Sequence, residues 1–392
     1  MLTDIGIGRQ YFELLVESLD IPPSLYERAV SRHRSLGEHL CRDGSRLRAF
    51  NPHVSSQGSF RHGTVVRPLA ADAEYDLDNV TTLTLSKASI TQKDLKELYG
   101  LEMQDYAREH GVIAPPEEKN RCWRLRYADE VKFHLDSLPS LVEEESFFRT
   151  LRMRNVQDEW AKRAIAITDK RHPTYAKVTM LWPTSNPRGF ARWLEFRMGT
   201  FADTKRRELV QRRVYATVES VPTYELKTPL QRAIQLLKRH RDVMFVDNPD
   251  VAPISMILTN LAGHAYEGEA DVYDAVRGIL ARMLKYVRPE RPRVPNPTHP
   301  DEDYADKWSK DRRLETHFLQ WHSQAVHDFG TLPTLMDPVA LRAATKRSFQ
   351  VDLRDDHLRS LGLASAAPAT IVTSSAPRVQ ISSPSRPWGG GD

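Results

Sequence analysis

Residues 57–78 read QGSFRHGTVVRPLAADAEYDLD, joining a Gly-Ser turn to a segment with two carboxylates one residue apart. The continuation YDLDNVTTLTL is rich in β-branched and aromatic residues, which predicts a strand. On a strand, residues i and i+2 leave the same face, so Asp76 and Asp78 project together with Cα atoms about 6.5 Å apart. Two hard anionic ligands at that separation suit Mg2+, which takes oxygen ligands and completes its shell with phosphate oxygens and water. The turn at Gly58 and Ser59 is then a candidate phosphate cradle. Neither signal is specific alone, because Gly-Ser pairs are common in turns and exposed edge strands also alternate carboxylates.

At 392 residues, with 40% hydrophobic content, the chain can build one large or two ordinary domains around a real core. A formal net charge of +4 is the balance of 56 basic and 52 acidic residues. Such a mixed surface argues against an obligate nucleic-acid binder and fits an acidic small ligand held by local Lys and Arg. Cys41 and Cys122 have no metal-ligand spacing, so neither a disulfide framework nor a cysteine zinc site is indicated, and a reducing cytoplasm is the expected compartment. The opening MLTDIGIGRQYFELLVESLDI lacks the basic region and continuous apolar run of a secretory signal, and no apolar run has membrane-spanning length. No membrane association is expected.

Helical apolar spacing over residues 9–47, broken at Pro22 and Pro23, predicts two helices before the turn. TQKDLKELYGLEMQDYAREHG predicts a helix ending near Gly111, and RCWRLRYADEVKFHLDSLPS two strands joined by a polar turn. A further strand pair is expected at AIAITD and KVTMLWP. From about residue 206, TPLQRAIQLLKRHRDVMF, PISMILTNLAGHAY and DVYDAVRGILARMLKYV all repeat apolar residues at three-to-four spacing. The expectation is an α+β core in which helices mix with a small sheet over residues 1–205, and a helical lobe over 206–363. The Pro-rich stretch at 288–303 reads as an ordered or semi-rigid loop. Residues 364–392, rich in Ser, Pro, Ala and Gly, read as a flexible tail.

The second of the two later strands carries another carboxylate, Asp136, in HLDSLP. Three Asp residues on partly apolar strands need compensation if they converge, and a divalent cation provides it. GSFRHGT, EYDLD and HLDSLP together resemble the polymerase-β-type nucleotidyltransferase signature, specifically that of the bacterial cGAS/DncV-like nucleotidyltransferases of CBASS antiphage systems. The resemblance continues through LWPTSNPRGFARWLE, TPLQRAIQLLKRHRD, APISMILTNLAGHAY and NPTHPDEDYADKW, covering about residues 50 to 320. It implies a polymerase-β-like core packed on an oligoadenylate-synthase-like helical lobe. It further implies phosphodiester synthesis from ATP and other nucleoside triphosphates, with loss of pyrophosphate, giving a cyclic oligonucleotide second messenger.

By position, the resemblance assigns Asp76, Asp78 and Asp136 as catalytic ligands of two Mg2+ ions. It assigns Gln57, Gly58 and Ser59 to the donor triphosphate, with Lys238 and Ser255 reaching it from the helical lobe. The competing readings are an exposed helix cation for Lys238 and a simple helix cap for Ser255. Arg61 and Thr64 would support the phosphate loop, whereas Arg67 reads as the partner of a nearby acid. His134 shares the strand face of Asp136, yet a lone strand histidine is more often structural. Tyr75, Trp182, Phe190 and Trp193 offer stacking surfaces for a base, but core packing is the favoured reading. Basic runs such as DTKRRELVQRR read as solvated helix faces.

The blocks QLLKRHRD and PISMILTNLA resemble branches regulated by HORMA-domain partners and making adenine-rich products. The resemblance implies an adenine-containing cyclic di- or trinucleotide, and a downstream effector that reads it. A terminus ending in WGGGD resembles a substrate for ubiquitin-like conjugation machinery, although Asp392 departs from the small terminal residue expected there, and a plain tail is favoured. Two alternatives remain open: an RNA-terminal nucleotidyltransferase using the same carboxylates, and a catalytically silent nucleotide-binding module.

Overall fold

Two helices, α1 (Asp4–Leu19) and α2 (Pro23–Cys41), precede the Gly-Ser turn. Pro23 takes the first helical position of α2, where its missing N–H would have had no partner anyway. The chain then forms β1 (His53–Gln57), the short helix α3 (Gly58–His62), β2 (Tyr75–Leu83) and α4 (Gln92–Glu109), the last capped by the Thr91 side chain. There follow β3 (Glu117–Glu118), β4 (Trp123–Arg126), β5 (Phe133–Val142), α5 (Glu145–Met153), α6 (Asp158–Ala161), β6 (Ile165–Ile167), β7 (Thr184–Ser185) and α7 (Pro187–Arg197). Beyond these come α8 (Pro229–Met244), α9 (Ser255–Ala265), α10 (Val272–Arg282), a hairpin of β8 (Pro295–Asn296) and β9 (His299–Asp303), and α11 (Arg312–Thr331), α12 (Pro338–Phe349) and α13 (Asp355–Ser360). This computed structural model describes residues 4–70, 73–110, 112, 114–127, 133–199 and 227–363. The boundary expected at 205–206 and the tail expected at 364–392 lie outside the described residues.

The strands form one mixed sheet in the order β1-β2-β5-β4-β3, with β6 paired to β5 and β7 to β6. Among the described strands of this sheet, only β2 and β5 run parallel. Alternation decides which side chains reach which face. Tyr75, Leu77, Phe133 and Leu135 enter the apolar cluster that also holds Leu36, Leu95 and Met103 of α2 and α4. On that same face, Tyr99 Oη bonds Thr81 Oγ1 at 2.8 Å and Ser137 Oγ at 2.6 Å. Gly100 allows the close approach of α4, because a Cβ there would stand 2.3 Å from the Trp123 ring. The opposite face carries Asp76, Asp78, His134 and Asp136, and beyond them Val80 and Leu138 join Ile165 and Ile167 in a small separate apolar cluster.

KVTMLWP does not form the expected strand. Val178, Met180 and Leu181 are exposed while Trp182 is buried, so the segment has no apolar face to lay on the sheet. The pairing with β6 falls instead at β7, where Ile165 opposes Ser185 and Ala166 opposes Thr184. The Pro-rich stretch is ordered as expected and contains the β8–β9 hairpin, fixed by Asp303 accepting from the backbone N–H groups of Arg293, Val294 and Ala305.

The helices after Lys227 share one apolar cluster with α1, α5, α6 and α7, including Phe12, Trp193, Leu237 and Trp321. α8 begins with a capping box between Thr228 and Gln231 and carries Pro229 at its start. Among the described residues, no helix is long and apolar enough to cross a membrane.

Candidate active site

Register places the carboxylates in two rows across the sheet. One row runs Gln57, Asp78, Asp136 and Arg124 on β1, β2, β5 and β4. In the next, Asp76 lies beside His134 and His134 beside Arg126. The row logic follows from one fact: β2 and β5 are parallel neighbours, so two Asp-bearing strands present their acids side by side.

Donor atoms of Asp76, His134 and Asp136 all lie within 4.8 Å of one another. His134 Nε2 stands 3.0 Å from Asp76 Oδ1, and its Nδ1 is 2.9 Å from Glu74 Oε2. Burial opposes charge on this imidazole, but the hydrogen bond and charge of Asp76 outweigh it and raise the pKa. Asp136 accepts a two-pronged pair from Arg124, Nε to Oδ1 and Nη2 to Oδ2, each at 2.7 Å. That bond keeps the Arg124 guanidinium more firmly protonated than usual.

Asp78 lies deeper. Burial first, then Asp76 and Asp136, push its carboxyl up to about 8. Gly58 adopts φ +66°, and a Cβ at that position would stand 2.1 Å from Asp78 Oδ2. Only glycine both accepts that left-handed backbone and leaves room for the carboxylate. The donor set therefore fits a divalent cation: three oxygen-bearing acids crowd one patch, and the innermost resists ionisation without a compensating charge.

The turn from Gly58 to Thr64 is held from the far side by one face of α8. Gln231 Nε2 donates to His62 O at 2.8 Å, and Gln235 Nε2 to Val65 O at 2.7 Å. Lys238 Nζ donates to Thr64 O at 3.1 Å and to Thr64 Oγ1 at 3.2 Å, and Arg239 bonds the carbonyl of Arg67. These four residues recur at i, i+4, i+7 and i+8, a single helical stripe. Burial, and next Arg241, lower the Lys238 ammonium to about 7. Within the turn, Thr64 N–H donates to Ser59 O at 3.0 Å.

The residues singled out from sequence are thus brought together unequally. Asp76, Asp78, Asp136, Gln57 and Gly58 share one patch, Ser59 follows on α3, and Lys238 buttresses the turn that contains Gly58 and Ser59. Ser255 opens α9 and accepts from Arg241 Nη2 at 3.1 Å, three residues along α8 from Lys238. Arg61 turns away to Glu195 of α7 at 2.7 Å. Arg67 bonds the Asp20 backbone carbonyl at 3.0 Å rather than an acid side chain. Tyr75, Trp182, Phe190 and Trp193 are core residues. Sequence reasoning missed Glu74, Arg124, Gln231 and Gln235, and it undervalued His134. A polar stripe interrupting the apolar helix QRAIQLLKRH was the available signal for the two glutamines.

Residues 52–139 match the family described as cyclic GMP-AMP synthase DncV-like, nucleotidyltransferase domain. The chain is 27% identical over 314 residues to a c-di-GMP synthase of Roseivirga ehrenbergii, covering 78% of this chain and 74% of that one. It is also 27% identical over 321 residues to the cyclic dinucleotide synthase CdnG of Bradyrhizobium diazoefficiens, covering 77% and 70%. The structure of CdnG from B. diazoefficiens in complex with GTP superposes with a TM-score of 0.64 at 20% identity, covering 92% of this chain and 98% of that one. The Escherichia coli CdnC:HORMA-deltaN complex includes a chain with a TM-score of 0.58 at 9% identity, covering 88% and 98%. At such identities the structural likeness shows a shared fold.

Proposed function

We propose that this chain is an enzyme of the cGAS/DncV-like nucleotidyltransferase type, joining purine nucleoside triphosphates into a cyclic dinucleotide at the Asp76–Asp78–Asp136 patch. The observation that carries the site assignment is the register of β2 on β5, which sets Asp78 beside Asp136 with Gly58 against the Asp78 carboxylate. In this reading Asp76, Asp78 and Asp136 hold two Mg2+ ions. Bound there, the metal would lower the pKa of an attacking ribose hydroxyl and neutralise charge on the α-phosphate and leaving pyrophosphate.

The chain's own residues set the rest. Gly58 and Ser59 line the donor triphosphate, and Gln57 ends the strand that delivers them. Lys238 adds a cation beneath the turn, its charge restored when a triphosphate offsets its burial. Asp136 is the carboxylate of the acceptor side, released from Arg124 as the site fills. Ser255 acts through Arg241. His134, held between Glu74 and Asp76, orients Asp76 rather than serving as a base.

The adenine-containing product expected from the helical blocks competes here with a guanine-containing one. Similarity to a chain named c-di-GMP synthase, and to the fold of a CdnG solved in complex with GTP, supports guanine. A HORMA-domain activator, a downstream effector, a cytoplasmic location and an antiphage role complete the proposal; the CdnC:HORMA-deltaN fold is compatible with the first.

Incubation with α-labelled nucleoside triphosphates followed by phosphatase tests the reaction. Resistant label, lost in Asp76→Ala/Asp78→Ala, is the expected result. Label appearing only on added RNA would establish the RNA-terminal alternative, and antiphage protection unchanged by Asp76→Ala/Asp78→Ala would establish a silent binding module.

A further inference from the structure

A second group of metal-binding side chains lies apart from the carboxylate patch, where α2 and α4 end. His39 comes from the last turns of α2, Glu109 closes α4, and His110 follows it. One donor atom from each lies within 4.8 Å of the other two. Both helices turn the negative ends of their dipoles toward this corner, which favours a cation.

The surroundings of His39 are the second, independent observation. The residue is 5% exposed. Its Nδ1 faces Glu109 Oε2 at 3.4 Å, and its Nε2 faces Glu102 Oε2 at 3.6 Å with no hydrogen-bond partner. A neutral imidazole carries one proton, so either tautomer leaves one nitrogen lone pair turned toward a carboxylate oxygen. Glu102 already accepts from Arg42 Nη1 at 2.7 Å and from Arg46 N–H and Nη1, each at 2.9 Å, so it is committed as an outer partner.

His110 is prepared in a complementary way. Its Nδ1 lies 3.0 Å from the Tyr106 carbonyl, which can only accept, so that nitrogen carries the proton and Nε2 keeps its lone pair. The ring is fixed by stacking on Tyr106 at 4.1 Å. A histidine whose second nitrogen donates to a carbonyl or carboxylate is the usual outer arrangement of a metal-ligating imidazole.

We propose that His39, Glu109 and His110 bind one zinc-type divalent cation, which staples α2 to α4 behind the sheet. Two imidazoles and a carboxylate, with water in the remaining position, suit zinc and discriminate against Mg2+.

The test is equilibrium dialysis of the full chain against Zn2+ in an Asp76→Asn/Asp136→Asn background, which removes the other carboxylate–histidine group from competition. Expected are one Zn2+ per chain, a zinc-dependent rise in Tm, and binding weakened by about tenfold or more in His110→Gln and in Glu109→Gln. Both residues are exposed, so an unchanged metal-free Tm will show that the variants fold. Zinc binding indifferent to both substitutions, or no stoichiometric zinc in the background chain, overturns the proposal. Neither outcome depends on whether the enzyme makes a cyclic dinucleotide.

Discussion

Replacing Asp78 by Asn should stabilise the metal-free protein while abolishing nucleotidyl transfer. Burial and the charges of Asp76 and Asp136 raise the Asp78 pKa from 3.8 to about 8 in the fold. An acid whose folded pKa lies above its unfolded one holds its proton longer in the folded state. Stability is therefore full below about pH 4 and falls as pH rises toward 8. At ~1.4 kcal/mol per pH unit, the interval from the unfolded pKa to neutral pH sets a ceiling of about 4 kcal/mol on the penalty at pH 7, against about 1–2 kcal/mol at pH 5. Asp78 keeps partial contact with solvent, so a gain of about 1–3 kcal/mol at pH 7 is the expected magnitude for Asp78→Asn. Urea denaturation with chelator present, at pH 5 and pH 7, reads it directly. The advantage of the Asn variant should grow between the two pH values, and added divalent cation should stabilise the wild type more than the variant. Equal or lower stability of Asp78→Asn at pH 7, or a gap that does not widen with pH, refutes the reasoning.

Gly58→Ala places a Cβ 2.1 Å from Asp78 Oδ2 at φ +66°, so the carboxylate must shift; kcat should fall at least about 100-fold for a misplaced group of this kind, while the left-handed backbone lowers stability by only about 1–2 kcal/mol. Gln231→Leu leaves the buried His62 carbonyl without its donor, which should cost about 1–3 kcal/mol in urea unfolding and raise KM for nucleoside triphosphate more than it lowers kcat. Lys238, lowered to about 7, should bind triphosphate best when protonated, so KM should rise with pH above 7 in the wild type. In Lys238→Met that slope should vanish, as pH-resolved kinetics would reveal.

The fold was legible where local pattern and burial agree. YDLDNVTTL alternates apolar and acidic side chains, and the sheet buries Tyr75 and Leu77 while leaving Asp76 and Asp78 on the other face. KVTMLWP looked equally strand-like, but its apolar residues point to solvent and only Trp182 enters the core, which no local propensity reveals. Arg124 became visible only through register, because β4 pairs antiparallel to β5 and sets it opposite Asp136. His134 read as structural because Glu74 and Asp76 reach it from a different strand region, a contact that depends on the parallel β2–β5 pairing. The α8 stripe was half legible: Lys238 stood out by resemblance, whereas Gln231 and Gln235 were not singled out, and only the packing of α8 sets their amides against the carbonyls of the turn. Long-range placement was the missing information in each case.

Mass spectrometry of the product formed from an equimolar mixture of the four nucleoside triphosphates decides whether the carboxylate patch makes a cyclic dinucleotide. A phosphatase-resistant purine cyclic dinucleotide is expected from the wild type and is absent in Asp136→Asn. A linear or RNA-attached product, or the same cyclic product from Asp136→Asn, would contradict that assignment.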